Sequence, residues 1–297
     1  MNNFHVEEVL RKIPNLNETA ESVSRGIHDG VLQGGRAVRQ GVDLLHGTWL
    51  GHPLHPVLTD VTIGALSFGT LLDLLSLNGG GRRMEKAADT LIEIGTASAI
   101  PTALAGIADY TTIPRRVVST GATHGLANTL ALVLYLLSVR SRRSGNRPGG
   151  VLFAALGLFI MLISAWLGGE MSFRYGVGVN KTVWPKGPKN WTTVLGEDKL
   201  MAQQPVRVEV EGNPVLLYRQ GDRIYAIGAV CPHEGGPLDE GEFDGHCVVC
   251  PWHHSVFNLE DGTVVHGPST YAVPSYDVRV LNGQIELRLR EEKALVP

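Results

Sequence analysis

The 297-residue sequence is poor in cysteine, in aromatic side chains and in charge. Its three cysteines all lie beyond residue 230, which excludes a disulfide-stapled secreted scaffold and confines any thiolate chemistry to the last third of the chain. Aromatic residues make up 6% and charged residues 19%, against 43% hydrophobic residues and a mean hydropathy of +0.05. That balance excludes a disordered chain and is high for a purely soluble enzyme. The first fifty residues hold no continuous apolar run, so no secretory signal is read there and the first apolar helix is expected to act as its own targeting signal. A uniformly basic surface is missing as well. Residues 1–189 carry 18 Lys+Arg against 13 Asp+Glu, a net of +5, whereas residues 190–297 carry 8 against 16, a net of −8. The split excludes a nucleic-acid partner and fits a membrane-associated half joined to an acidic soluble half.

What the sequence does have is four apolar stretches, at roughly 55–78, 89–110, 122–139 and 151–167, each near the ~20 residues a helix needs to cross hydrocarbon. The last, Val151 to Leu167, contains no charge. The first contains Asp60 and Asp73 and the second Glu93 and Pro101, features a buried helix of a soluble domain would also tolerate. Short basic connections favour spanning. Residues 19–46 predict an amphipathic helix with Val23, Ile27, Val31, Val38, Val42 and Leu45 near one face, either lying against the bundle or the lipid surface or forming a soluble helical arm. The expected organisation is an arm (1–50), a four-helix transmembrane domain (51–180), a linker (181–192) and a small all-β domain (193–297), an α + β multidomain chain.

Gly51-His52-Pro53-Leu54-His55-Pro56 opens the first stretch, His124 lies in the third, and Gly168-Gly169-Glu170 and Tyr175-Gly176-Val177-Gly178 follow the fourth. Over about 50–180 these residues resemble the four-helix bacterial membrane family known as domain of unknown function 2231, which implies location and helix count but no chemistry. Threading adds more. With four antiparallel crossings, His52, His55, Asp60, Asp109, His124, Asn128 and Glu170 fall at one mouth of the bundle, where polar residues are a functional expectation unless they merely cap helix ends in the wet interface. His55 and His124, with Asp109 and Glu170 brought alongside, are expected to ligate haem b or to hydrogen-bond a quinone whose proton a carboxylate takes. Quinone is preferred, because ligands at the very mouth would leave a haem half in water.

After Pro185–Trp191, rich in Pro, Gly and Lys, come runs with strand character at 206–210, 214–218, 223–227, 263–265, 278–281 and 284–289, separated by turns such as Asn282-Gly283. Between them stand Cys231-Pro-His233 and, 16 residues on, Cys250-Pro-Trp-His253. Each segment supplies one thiolate and one imidazole. A [2Fe–2S] cluster with two thiolates on one iron and two imidazoles on the other needs that inventory. Zinc on Cys247-x-x-Cys250-x-x-His253 is the competing reading, and it would leave Cys231 and His233 idle. Cys247 is expected to be a buried thiol on the inward face of its strand.

The pattern C-x-H…C-x-x-H, with Pro232, Gly235-Gly236-Pro237, Pro251 and Gly262 around it, resembles the Rieske iron–sulfur family. The resemblance implies cluster ligation by Cys231, His233, Cys250 and His253. It also implies that Ser255 donates to cluster or ligand sulfur, whereas Phe257 stands where respiratory Rieske proteins place a second donor, a tyrosine. Gly236 and Trp252 occupy the positions of their loop disulfide. The domain is therefore similar to the ferredoxin-type Rieske proteins of ring-oxygenase systems.

These readings converge on a membrane-anchored one-electron carrier with a basic redox partner, without its own substrate-binding domain: an oxygenase would need a large domain after the cluster, and 44 residues follow His253. A redox sensor or scaffold, or the electron donor of an oxygenase system, are the alternatives. A multi-pass protein of a bacterial cell membrane is expected. Lys and Arg in the loops do not choose its orientation, thiolate chemistry favours a cytoplasmic C-terminal half, and nothing fixes an oligomeric state.

Overall fold

A computed structural model describes residues 6–10, 12–77, 81–183 and 187–290. The chain divides into two compact units, residues 1–46 with 53–177 and residues 47–52 with 178–297.

The first unit is helical: α1 Val6–Leu10, α2 Leu16–Gln33, α3 Gly35–His46, α4 Leu54–Leu75, α5 Gly81–Tyr110, α6 Val118–Arg143 and α7 Arg147–Gly169. Helices α4 to α7 are long and apolar enough to cross a membrane. Their outward faces are apolar too, with Phe68, Ile100, Leu126 and Phe159 all more than half exposed. Exposed Leu, Ile and Phe on four such helices mark a surface that a membrane or a protein partner covers. The inward core is small, built on Leu66, Ile92, Ala131, Tyr135, Ala154 and Met161. The start of α7 is set by the Asn146 side chain, which accepts from Gly149 N at 3.0 Å, with a proline in the first helical turn.

A buried charge network lies at the end where α4 and α6 finish and α5 and α7 begin. Asp73, with no exposure, accepts from Arg142 (Nη1, 3.0 Å) and Arg147 (Nη2, 2.7 Å), and Asp89 accepts from the same two guanidiniums at 2.6 and 2.9 Å. Two planar forks on two carboxylates tie all four spanning helices together. Asp73, one of the acidic residues that interrupt the apolar stretches in the sequence, is thus an internal tie, whereas Asp60 is exposed and Glu93 pairs at the surface with Arg143.

The arm is two helices rather than one, because the chain turns through Gly35 at φ +73. Helix α2 lies against the α5–α6 connection: Tyr110 Oη donates to Ala20 O at 2.8 Å, Ser119 Oγ to Asn17 Oδ1 at 2.9 Å, and Arg115 pairs with Glu21 at 3.0 Å. Ala20 and Ser24 are buried there, while Val23, Ile27 and Val38 of the expected apolar stripe stay exposed.

The second unit carries three antiparallel sheets, β1-β10-β9, β2-β3-β4 and β5-β6-β7-β8. Their strands are β1 Thr192–Gly196, β2 Val206–Val210, β3 Asn213–Gln220, β4 Arg223–Gly228, β5 Glu242–Asp244, β6 Cys247–Val249, β7 Val256–Asn258, β8 Val264–His266, β9 Tyr276–Leu281 and β10 Gln284–Leu289. Glu211-Gly212 and Asn282-Gly283, both pairs at positive φ, close two-residue hairpins. One core, around Leu217, Ile285 and Leu287, joins the first two sheets, and a second, around Leu216, Ile227, Val248 and Phe257, lies under the cysteine loops. The residues expected to form a free linker, 181–192, are bonded into this unit where described: Lys181 N donates to Pro232 O (2.9 Å), Leu289 N to Pro188 O (2.8 Å), and Arg279 and Arg288 stack on Trp191. Residues 184–186, including Pro185 and Lys186 of that stretch, lie outside the described residues.

Candidate functional site

Two loops of the second unit are built alike. The first follows β4: Cys231 N donates to Gly236 O (2.8 Å) and Gly235 N returns a bond to Cys231 O (3.0 Å). The second follows β6: Cys250 N donates to Ser255 O (2.8 Å) and His254 N to Cys250 O (3.0 Å). In each loop the residue four places after the cysteine has positive φ, Gly235 at 84 and His254 at 62. His254 is thus a loop-closing residue. The repeated geometry brings the cysteines together and the histidines together. The two sulfurs are hydrogen-bonded to each other, and the rings of His233 and His253 stand 5.0 Å apart at 88°. Cys231 and Cys250 are buried at 1% and 2% exposure.

The sulfurs sit among donors. Cys231 Sγ receives the His233 backbone N–H and the Ser255 hydroxyl, and Cys250 Sγ receives the N–H groups of Trp252 and His253. Ser255, fully buried, is itself held by Ser269 N at 3.0 Å. The Cys231 thiol is pushed up, first by its bond to Cys250 and then by burial, while Cys250 is drawn down chiefly by the hydrogen bond from Cys231. A cation bound at the two sulfurs would displace both thiol protons, so binding there is linked to proton release.

The donor set fits a binuclear cluster. It comes as a sulfur pair and an imidazole pair, and among the described residues no three His, Cys, Asp or Glu side chains are placed to hold a single ion. A Cβ on Gly236 would lie 2.7 Å from Cys250 Sγ and 3.2 Å from the Trp252 ring, so that position leaves the sulfur face open. Phe257 is fully buried beneath the loops. Cys247 differs from expectation: Val248 is the fully buried residue of β6, so Cys247 stands on the other face, half-buried, its thiol pushed up by burial and by Asp244. One contact had no signal in the sequence. Glu234, with 4% of its side chain exposed, pairs with Lys181 Nζ at 3.6 Å, so the segment before the β domain is fastened to the first cluster loop.

Such a domain, antiparallel sheets presenting two Cys/His loops, is of the iron–sulfur class. The family models agree: residues 190–277 match the Rieske [2Fe-2S] domain and residues 51–181 the predicted membrane protein family DUF2231. The chain belongs to the Rieske [2Fe–2S] family, here joined to a DUF2231 domain. It is 35% identical over 72 residues to ferredoxin CarAc of Metapseudomonas resinovorans, covering 24% of this chain and 67% of that one. It is 27% identical over 99 residues to the anthranilate 1,2-dioxygenase ferredoxin subunit of Burkholderia cepacia (33% and 92%). The ferredoxin of carbazole 1,9a-dioxygenase from Nocardioides aromaticivorans IC177 matches as a solved structure at 30% identity and TM-score 0.33, over 34% of this chain and 99% of that one.

In the helical unit, His55 and His124 do face each other, ring centroids 6.4 Å apart at 83°. Asn128 is with them, its amide 3.0 Å from His124 Nε2. The carboxylates are not. His55 bonds Thr102 O and His124 bonds Ser164 O, whereas Asp109 and Glu170 come seven and six residues later on α5 and past α7, roughly 10 Å further along at 1.5 Å per residue. Asp109 instead accepts from buried His46 (Nδ1, 2.9 Å), and Glu170 meets Arg174 at 3.4 Å. His52 falls in the other compact unit and Asp60 is exposed. His46, at the end of the arm, was not singled out by sequence because its partner is distant in the chain.

Proposed function

We propose that the chain is a membrane-embedded one-electron transfer protein. Its β domain holds a [2Fe–2S] cluster on Cys231, Cys250, His233 and His253, and its bundle provides an exchange site, for a quinone or a haem, at His55 and His124. The single observation that carries the reading is the pair of equivalent loops that sets two buried sulfurs and two perpendicular imidazoles side by side. The cluster, when bound, supplies one-electron redox chemistry. The protein's own groups do the rest: N–H and hydroxyl donors to the sulfurs stabilise the reduced state, and the buried apolar floor keeps water from the sulfur side. Exposed Trp252 at the tip and the net charge of −8 over residues 190–297 suit a basic protein partner. The four apolar helices support the membrane assignment.

A second reading, electron donor to an oxygenase, is favoured by the relatives, which are ferredoxin components of dioxygenase systems. One experiment separates the two. Reduced full-length protein in lipid vesicles is mixed with a short-chain quinone, and oxidation of the cluster is followed optically. Reoxidation within turnover time, lost in the His55→Ala variant while its cluster spectrum stays intact, supports exchange through the bundle. Reoxidation at the same rate in the variant, or none in either protein, counts against it and leaves the soluble-partner reading.

A further inference from the structure

The histidine pair has a symmetry that distinguishes its ligand. His55 on α4 places Nδ1 2.9 Å from Thr102 O on α5, and His124 on α6 places Nδ1 2.8 Å from Ser164 O on α7. Four residues beyond each carbonyl stands a glycine against the ring: a Cβ on Gly106 would lie 2.8 Å from His55 Cε1, and one on Gly168 3.3 Å from His124 Cε1. The α4–α5 and α6–α7 hairpins thus present equivalent imidazole cradles to each other.

The hydrogen bonds fix the tautomers. A backbone carbonyl only accepts, so each Nδ1 carries the proton and each Nε2 presents a lone pair. The Asn128 amide, 3.0 Å from His124 Nε2, donates to that lone pair. Two lone pairs repel a quinone carbonyl, which needs donors, and suit a Lewis acid. Spacing agrees. With a metal–nitrogen bond of about 2.0 Å and about 1.1 Å from nitrogen to ring centre, two imidazoles trans on one metal stand roughly 6.2 Å apart. The observed separation is 6.4 Å. No third His, Cys, Asp or Glu among the described residues joins the pair, so a bare ion would keep only two protein ligands, whereas a porphyrin brings four nitrogens of its own. Thr102 lies eight residues before the end of α5, roughly 12 Å inside it, whereas His55 is the second residue of α4, and both imidazoles are half-buried.

We infer that His55 and His124 are the axial ligands of a b-type haem, with Nδ1–H of each held by Thr102 O and Ser164 O and with Asn128 yielding its place at Nε2 to the iron. This deepens the exchange-site reading above: the reduced cluster would give up one electron and the ferric iron accept it, with no proton or bond change at the histidines.

The test uses the full chain in detergent, purified and then titrated with hemin. Saturable binding of one haem per chain, with the sharp α and β bands of a low-spin six-coordinate iron after reduction, is expected. His55→Ala and His124→Ala should lose those bands while the Rieske EPR signal stays unchanged, which separates failure of the haem site from failure of the cluster reading. His124→Gly should recover a six-coordinate spectrum when imidazole is added, a rescue that a misfolded variant would not show. Gly106→Leu, which fills the cradle, should abolish binding. A chain that takes up no hemin, a five-coordinate high-spin spectrum, or equal binding by wild type and both alanine variants overturns the assignment.

Discussion

Replacing Ser255 by alanine tests the tuning of the cluster site. The hydroxyl is fully buried, donates to Cys231 sulfur and accepts from Ser269 N at 3.0 Å. A hydrogen bond to a charged acceptor contributes about 1.5–3 kcal/mol, and one to sulfur strengthens when the added electron raises the sulfur's negative charge. If about a third of that energy is redox-linked, the difference is roughly 0.5–1 kcal/mol, and at about 59 mV per tenfold change for one electron the midpoint falls by roughly 20–45 mV. The variant also strands the Ser269 N–H, at a stability cost of about 1–3 kcal/mol. The assay is an EPR-monitored redox titration of full-length protein. Ser269→Ala is the control, because it keeps the backbone donor and should leave the midpoint where it was. An unchanged or higher midpoint in Ser255→Ala, with the signal shape preserved, refutes the reasoning.

Phe257→Tyr should move the midpoint the other way, because a phenol in this buried place adds a donor near the sulfurs; the wild-type value is expected in the lower half of the roughly −150 to +300 mV Rieske range, and a titrated wild-type value above about +200 mV contradicts this. Asp73→Asn should destabilise the bundle by about 1.5–3 kcal/mol, since it leaves Arg142, 6% exposed, with Asp89 as its one carboxylate, while Arg143→Ala, which breaks an exposed pair with Glu93, should change thermal unfolding in detergent by less than about 1 kcal/mol. Equal effects of the two would sink the account of the buried network. The Arg288 and Arg290 guanidiniums hold the Asp277 carboxyl below its usual range. A depressed carboxyl gives stability that is present above its unfolded pKa of about 4 and lost as pH falls through the folded value, so Asp277→Asn should flatten the acid side of a stability–pH profile measured by denaturant unfolding.

How much of this was legible in the sequence depended on whether the signal was local. The strand at 284–289 is found at those residues because its alternation is strong and Asn282-Gly283 fixes the turn before it. Strands β1, β5 and β7 are short or polar and draw their place from pairing with distant partners, so no run of sequence announces them. Cys247 was put on the wrong face because a three-residue strand carries no period to read. The cluster loops were legible because ligand spacing is set by the chemistry they serve. In the bundle, threading placed His55 opposite His124 but put Asp109 and Glu170 at the same level. Helix ends are not flush, and the seven residues from Thr102 to Asp109 carry the carboxylate about 10 Å away, to a histidine of the arm. Lys181 on Glu234 and Arg142 on Asp73 are contacts between distant segments, which only the folded chain brings together.

The central claim is most directly tested by metal analysis and EPR of the purified full-length protein after reduction. Iron and acid-labile sulfide in equal amounts are expected, with a Rieske-type signal whose average g lies below the free-electron value and which Cys250→Ser abolishes. Stoichiometric zinc without iron, from cells replete in iron, or a signal that survives in Cys250→Ser would contradict ligation by Cys231, His233, Cys250 and His253.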